Sequence, residues 1–257
     1  RWVDHEESAR RVPSHRYLAL RRGEREGVLS LKLRANPERV LPWLLDRVGH
    51  HPRSPWGDQL QQVTQDAGTR LLAPAMETAL HQELKERADG EAIAVFAKNL
   101  EDLLLASPFG QRSVLAIDPG FRTGCKCTAL DGTGRLLAHG TIHPHTGADA
   151  RSRAARDLEA MIRRHRPEAI AVGNGTAGRE TLDFVRMVLE GMGPGDLPAI
   201  SVSEAGASVY SASDIARAEL PDLDVSVRGA VSIGRRLQDP LAELVKIEPR
   251  SIGVGQY

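Results

Sequence analysis

The sequence predicts an α/β domain, a mixed five-stranded sheet with helices on both faces, preceded by a mainly α-helical region with a short β-hairpin. Three observations carry this expectation. The hydrophobic period changes near residue 110, from a 3.6-residue repeat to short apolar or alternating runs. Beyond that point the runs alternate with amphipathic helices, as βα units do. Glycine and proline clusters punctuate the chain at the joints. The expected divisions are residues 1–110, residues 111–250 and a terminal stretch, 251–257.

In chain order, residues 17–20 and 28–33 flank a charged turn and alternate well enough for the hairpin. Val40, Leu41, Leu44, Leu45 and Val48 then mark a first helix. Leu71, Leu72, Met76, Leu80 and Leu84 mark a second, and Ile93, Val95, Phe96, Leu100, Leu103 and Leu104 a third. Pro52, Pro55 and Gly57 break the first gap, and Pro108-Phe109-Gly110 closes the region. Residues 114–117 are a continuous apolar run, as a buried strand should be. Residues 124–130 and 135–142 alternate around Asp131-Gly132-Thr133-Gly134, a hairpin turn. A helix over 149–165, strand 169–172, helix 179–189 and strand 199–202 follow. Helices near 209–219, 229–237 and 240–247 complete the pattern. An antiparallel meander followed by right-handed βαβ crossovers gives the mixed sheet.

Charge and composition exclude several classes. The 257 residues carry 34 basic and 34 acidic side chains, 17 and 16 of them up to Arg112 and 17 and 18 beyond it. A polybasic coat and an acidic tail are both ruled out, so any charged surface arises by local placement. Ten residues are Phe, Trp or Tyr, too few for a stacking surface built from several aromatics. Cys125 and Cys127 form a lone C-x-C, read as strand packing in a reducing compartment. No apolar run reaches the ~18 residues of a membrane span. The chain is read as a piece of a longer cytoplasmic protein.

That strand order is the ribonuclease H-like topology, in which working groups sit at strand ends and helix starts. Asp118 ends the first strand, Glu204 follows the fifth, and Asp239 begins a late helix. Converging, the three carboxylates form a candidate catalytic set, with Asp118 and Asp239 as candidate Mg²⁺ ligands. Two such ions about 3.5–4 Å apart activate water and stabilise the leaving oxygen in phosphodiester cleavage. Each acid also has a plainer role: Asp118 as a turn former, Glu204 at a helix entrance, and Asp239 before Pro240 as an N-cap. The glycine-rich turn over 173–178 can hold a phosphate on free N–H groups, but it lacks a P-loop's Gly-Lys-Thr/Ser ending. Arg151, Arg153, Arg163 and Arg164 on the 149–165 helix, with Arg122, Asn174 and Thr176 near strand ends, are the candidate nucleic-acid contacts. His139, His143 and His145 lack a Cys or carboxylate at ligand spacing and are not read as a metal site.

The stretch Val114-Leu115-Ala116-Ile117-Asp118-Pro119-Gly120-Phe121-Arg122-Thr123-Gly124 resembles the start of the YqgF domain of the bacterial Tex family of transcription accessory proteins. Gly173-Asn174-Gly175-Thr176, VSEAGASVYSAS over 202–213, RGAVSIGRRLQDPLAELVK over 228–246 and SIGVGQY over 251–257 are similarly close. Upstream, VPSHR over 12–16 and GVLSLKL over 27–33 resemble the end of the family's helical N-terminal region. The resemblance covers essentially the whole chain. It implies a nucleic-acid-binding factor related to the elongation factor Spt6, with residues 251–257 leading into helix-hairpin-helix repeats. RNA binding by an S1 module would lie outside this chain. Resolvase relatives carry a Glu where this chain has Asn174, which weakens a nuclease reading, and Glu180 lies in the helix beyond.

Three functions are therefore weighed. The first is a nucleic-acid-binding transcription accessory module with a catalytically silent ribonuclease H-like scaffold, needing no cofactor and contacting nucleic acid and the transcription machinery, with no membrane. The alternative is a Mg²⁺-dependent structure-selective nuclease using Asp118, Glu204 and Asp239. The last is a protein-interaction platform, which an exposed apolar stripe within 40–105 would favour.

Overall fold

The computed structural model describes residues 5–253, so residues 254–257, within the expected terminal stretch, lie outside the description. The chain divides into two compact units between Ala97 and Lys98. The division precedes the change of period at 110 because Leu100, Leu103 and Leu104 pack into the second unit's core, beside Tyr210, Leu244 and Ile252.

The first unit is helical. It contains α1 (Ser14–Arg25), α2 (Pro37–Arg47), α3 (Gly57–Asp66), a π-helical turn over Ala67–Leu72, and the start of α4 (Ala73–Leu104). The expected hairpin is not formed. Residues 17–20 and most of the charged turn lie in α1, and residues 28–33 join no sheet. Arg and Glu are good helix formers, Arg22 pairs with Glu26 one turn on, and an isolated two-stranded hairpin is marginal in water. Tyr17 is buried with Val12, Leu84 and Ala88, and its hydroxyl donates to the His81 carbonyl at 2.9 Å. Apart from Leu71 and Leu72 in the π-helical turn, the second and third apolar segments are one helix of 32 residues, whose Gly90 meets nothing within 4 Å. Helix α3 occupies part of the expected break. Many apolar side chains here stay in solvent, among them Trp43, Trp56, Val63, Met76 and Ile93.

The second unit holds β1 (Val114–Asp118), β2 (Cys125–Leu130), β3 (Leu136–Ile142), α5 (Ala148–His165), β4 (Ala169–Gly173), α6 (Gly178–Gly191) and β5 (Ala199–Val202). Then come α7 (Ala207–Ala212), α8 (Asp214–Glu219), α9 (Val225–Gln238) and α10 (Pro240–Leu244). The expected helix over 209–219 is thus two, parted at Ser213, whose hydroxyl oxygen accepts from the Ala216 N–H. The sheet runs β3-β2-β1-β4-β5, antiparallel through β1–β2–β3 and parallel through β1–β4–β5. This is the ribonuclease H-like order the sequence predicts.

Alternation along β1 divides the core. Leu115 and Ile117 face one side with Leu158 and Phe184, from α5 and α6. Val114 and Ala116 face the other with Ile233 of α9. The second face is tight: a Cβ on Gly234 would meet Leu130 Cδ1 at 2.5 Å and Ala116 Cβ at 2.9 Å. Cys125 and Cys127 are buried and free on the first side. At the β2–β3 turn the Asp131 carboxylate accepts from the Thr133 hydroxyl and the Thr133 and Arg135 N–H groups, which lowers its pKa to about 2. Among the described residues no helix is long and apolar enough to cross a membrane.

Candidate functional site

The carboxyl ends of β1, β4 and β5 form a row in which Ile117 lies beside Val172 and Gly173 beside Val202. Asp118 and Glu204 therefore stand on either side of β4, whose last residue has no side chain. This absence makes room. A Cβ on Gly173 would lie 2.6 Å from Glu204 Oε2, and one on Gly175 only 1.4 Å from Oε1. The Glu204 carboxylate thus fills the space above the glycine-rich turn, where the sequence had suggested a phosphate. Asn174 turns the same way, its Oδ1 accepting the Glu204 N–H at 3.2 Å. Thr176 is exposed in the same loop.

Asp118 faces the start of α9, where a Cβ on Gly229 would come within 3.2 Å of its Oδ2. Burial first, and then the Glu204 charge, push its pKa up to about 6, with Lys126 pulling the other way. Behind Glu204, the Arg236 guanidinium donates through Nη1 to the carbonyls of Ser203 (2.9 Å) and Ala205 (2.7 Å). It is almost fully buried, so it clamps the backbone on both sides of the acid.

The third expected carboxylate is elsewhere. Helix α9 runs against β1 in the opposite direction: Gly229 meets Asp118, while the Gln238 carbonyl accepts from Gly110 N–H ahead of β1. Asp239 follows ten residues after Gly229, about 15 Å along the helix at ~1.5 Å per residue. There its Oδ1 accepts the Ala242 N–H at 3.0 Å and caps α10. The set of Asp118, Glu204 and Asp239 is not assembled, and Asp118 and Asp239 do not share one ion. Among the described residues no group of three or more His, Cys, Asp or Glu side chains is placed to hold a metal. The residues present do not fit a two-ion clamp, and no cleavage step is assigned to one.

The remaining candidates spread over the surface. On α5, Arg153 and Arg164 are exposed, and Arg163 is paired with Glu159 at 2.6 Å. Arg151 lies over the Phe184 ring, 5.2 Å from its centroid. Arg122 is exposed in the loop after β1. His145 Nε2 lies 2.9 Å from the Thr181 hydroxyl, and the His143 ring packs over Gly124, so both histidines have structural partners. Sequence reasoning missed Gly229 and Arg236. Both belong to the recognised 228–246 segment, yet nothing in the spacing distinguishes a glycine or arginine that faces the acids.

Comparison with known proteins agrees with this architecture. The family described as Tex protein YqgF-like domain matches residues 112–238, and Tex central region-like matches residues 1–96. The chain is 45% identical over 267 residues to the transcriptional accessory protein Tex of Neisseria gonorrhoeae, covering all of this chain and 34% of that one. It is 36% identical over 257 residues to S1 RNA-binding domain-containing protein 1 of Homo sapiens, covering 96% of this chain and 26% of that protein. The Thermus thermophilus RuvC structure aligns with 56% of this chain and 98% of its own, at 17% identity and a TM-score of 0.38. The chain spans about a third of the length of its Tex relatives. With both Tex regions matched in order and the sheet and its glycine-lined acid pair in place, the chain belongs to the Tex family.

Proposed function

We propose that this chain is the nucleic-acid-contacting scaffold of a Tex-type transcription accessory factor, with a ribonuclease H-like site that is catalytically silent. The broken carboxylate set carries the reading. Only Asp118 and Glu204 come together, an amide stands at 174, and Asp239 caps a helix at the far end of the sheet. A two-ion phosphodiester cleavage needs a clamp on both the attacking and leaving oxygens. The Neisseria relative's name supports an accessory role in transcription, and the human relative's name supports contact with RNA. The basic groups are scattered and the net charge is zero, so the affinity is modest, salt-dependent and tolerant of sequence.

The test is calorimetric titration of Mg²⁺ and Mn²⁺ into the chain, with Asp118→Asn as control and oligonucleotide binding measured in parallel. Oligonucleotide binding without metal uptake or cleavage supports the scaffold. Saturable metal uptake lost in Asp118→Asn, accompanied by cleavage, overturns it in favour of the nuclease. A protein-interaction role is favoured by one observation, the exposed apolar side chains of the helical unit. It is checked by asking whether Trp43→Ser and Met76→Ser weaken binding to purified RNA polymerase.

A further inference from the structure

The loop between β1 and β2 is closed on itself. A Cβ on Gly120 would lie 2.8 Å from the Gly124 carbonyl oxygen. Gly124 sits at φ +77°, where side chains are strained, and the His143 ring occupies the space its Cβ would need. The Lys126 ammonium donates to the Thr123 carbonyl. A loop held at these points presents Phe121 at its tip, 44% exposed. The phenyl ring meets His145 edgewise, with centroids 5.2 Å apart and planes at 62°, a contact that occupies at most one of its faces. The imidazole is itself fixed through Thr181, which is fully buried. Burial holds His145 below the ordinary imidazole range; Glu180 opposes this and Arg151 reinforces it.

Basic groups flank this aromatic pair. Arg122 follows Phe121 directly and is exposed, and Arg151 is the cation acting on His145 from α5. Glu180, Asp118 and Glu204 repel phosphate and favour a backbone path on the arginine side.

We infer that Phe121 is a stacking platform for one unpaired base of a single-stranded nucleic acid, whose adjoining phosphates lie on Arg122 and Arg151. This deepens the nucleic-acid reading above and rests on it. A preset ring accepts any base by its π-face, which gives affinity without sequence readout. Bases in a duplex are already stacked and offer no free face, so the platform discriminates strand state and not sequence. With one exposed ring in the loop, a single base is engaged.

The experiment measures fluorescence anisotropy of the full chain with a labelled oligouridine and with a duplex of the same length, at several salt concentrations. Phe121→Ala and Phe121→Leu are each expected to weaken single-strand binding about tenfold, as loss of one stacked base does, and to change duplex binding less than about twofold. Phe121→Tyr, which keeps the π-face, restores the affinity. Arg122→Ala reduces the single-strand salt slope by about 0.7. Melting curves matching the wild type establish that the variants fold. If the wild type binds but the Phe121 variants bind the single strand equally well, or lose strand and duplex alike, the platform is refuted while the wider reading stands. If the wild type binds neither probe at low salt, both fall.

Discussion

In the sheet-bearing unit Leu115, Ile117, Ile170 and Phe184 are fully buried, whereas in the helical unit Trp43, Trp56, Val63 and Ile93 are more than half exposed. Both sets are large and apolar. Strands of a parallel sheet are covered on both faces by the helices that connect them, so the unit supplies its own cover. Among the described residues, the helices before Ala97 bury no comparable layer. Their buried cluster is Val12, Tyr17, Leu84 and Ala88 with a few partly buried neighbours. Hydrophobic periodicity thus marks the face of a helix to be covered without saying what covers it.

The contrast breaks most readily at Phe184. Phe184→Ala removes a fully buried ring between α6 and the sheet and should cost about 3–5 kcal/mol, measured as a lower denaturant midpoint. A loss below 1 kcal/mol would mean that the core relaxes freely and the contrast is overstated.

Asp118 sharpens the comparison through pH. Its folded pKa of about 6 exceeds the ordinary 3.8, so between these values the folded state holds more protons than the unfolded one. Stability therefore falls as pH rises from about 4 through 6, by up to about 3 kcal/mol at ~1.36 kcal/mol per unit. Asp118→Asn should recover most of this at pH 8 and nothing at pH 3.5, as paired melts at the two pH values would reveal. Equal effects at both values would remove the pH argument.

Smaller again is Gly234→Ala, which presses a methyl group between α9 and β1 where Leu130 and Ala116 already stand. Overpacking of this kind costs about 1–3 kcal/mol, and hydrogen exchange at β1 amides would register it. The smallest effect belongs to the helical unit. Trp43→Ser removes an exposed indole that packs against Arg47 and should shift stability by less than about 0.5 kcal/mol. A loss of several kcal/mol on the same melts would show the helical unit leaning on that face.

The sheet was readable because each strand is a short apolar or alternating run between turn residues, and β5 lies at residues 199–202 as expected. Residues 17–20 were misread because apolar side chains two apart in a short run fit a strand and a helix turn equally. The acid pair was half legible. Asp118 and Glu204 end parallel strands, and parallel strands bring their carboxyl ends to one edge of the sheet. Asp239 failed because a helix pattern identifies a buried face without showing which way the helix runs against the sheet. The glycines at 173 and 175 were read as a phosphate turn, since no spacing rule distinguishes a loop that accepts an anion from one that accommodates the chain's own glutamate.

The sheet order also sets a timetable for folding. β1 meets β2 and β3 through short connections, but its parallel partner lies far along the chain, with Val114 beside Ala169. Its cover arrives later still, when Ile233 of α9 joins Val114 and Ala116. Closing longer loops costs more entropy before any contact repays it, so the meander is expected to form early and the parallel half late. Substitutions in the β2–β3 turn, such as Asp131→Ala, should then slow folding. Substitutions on α9 should chiefly hasten unfolding. On an elongating chain the central strand would wait, with one face uncovered, until more than a hundred further residues had been made.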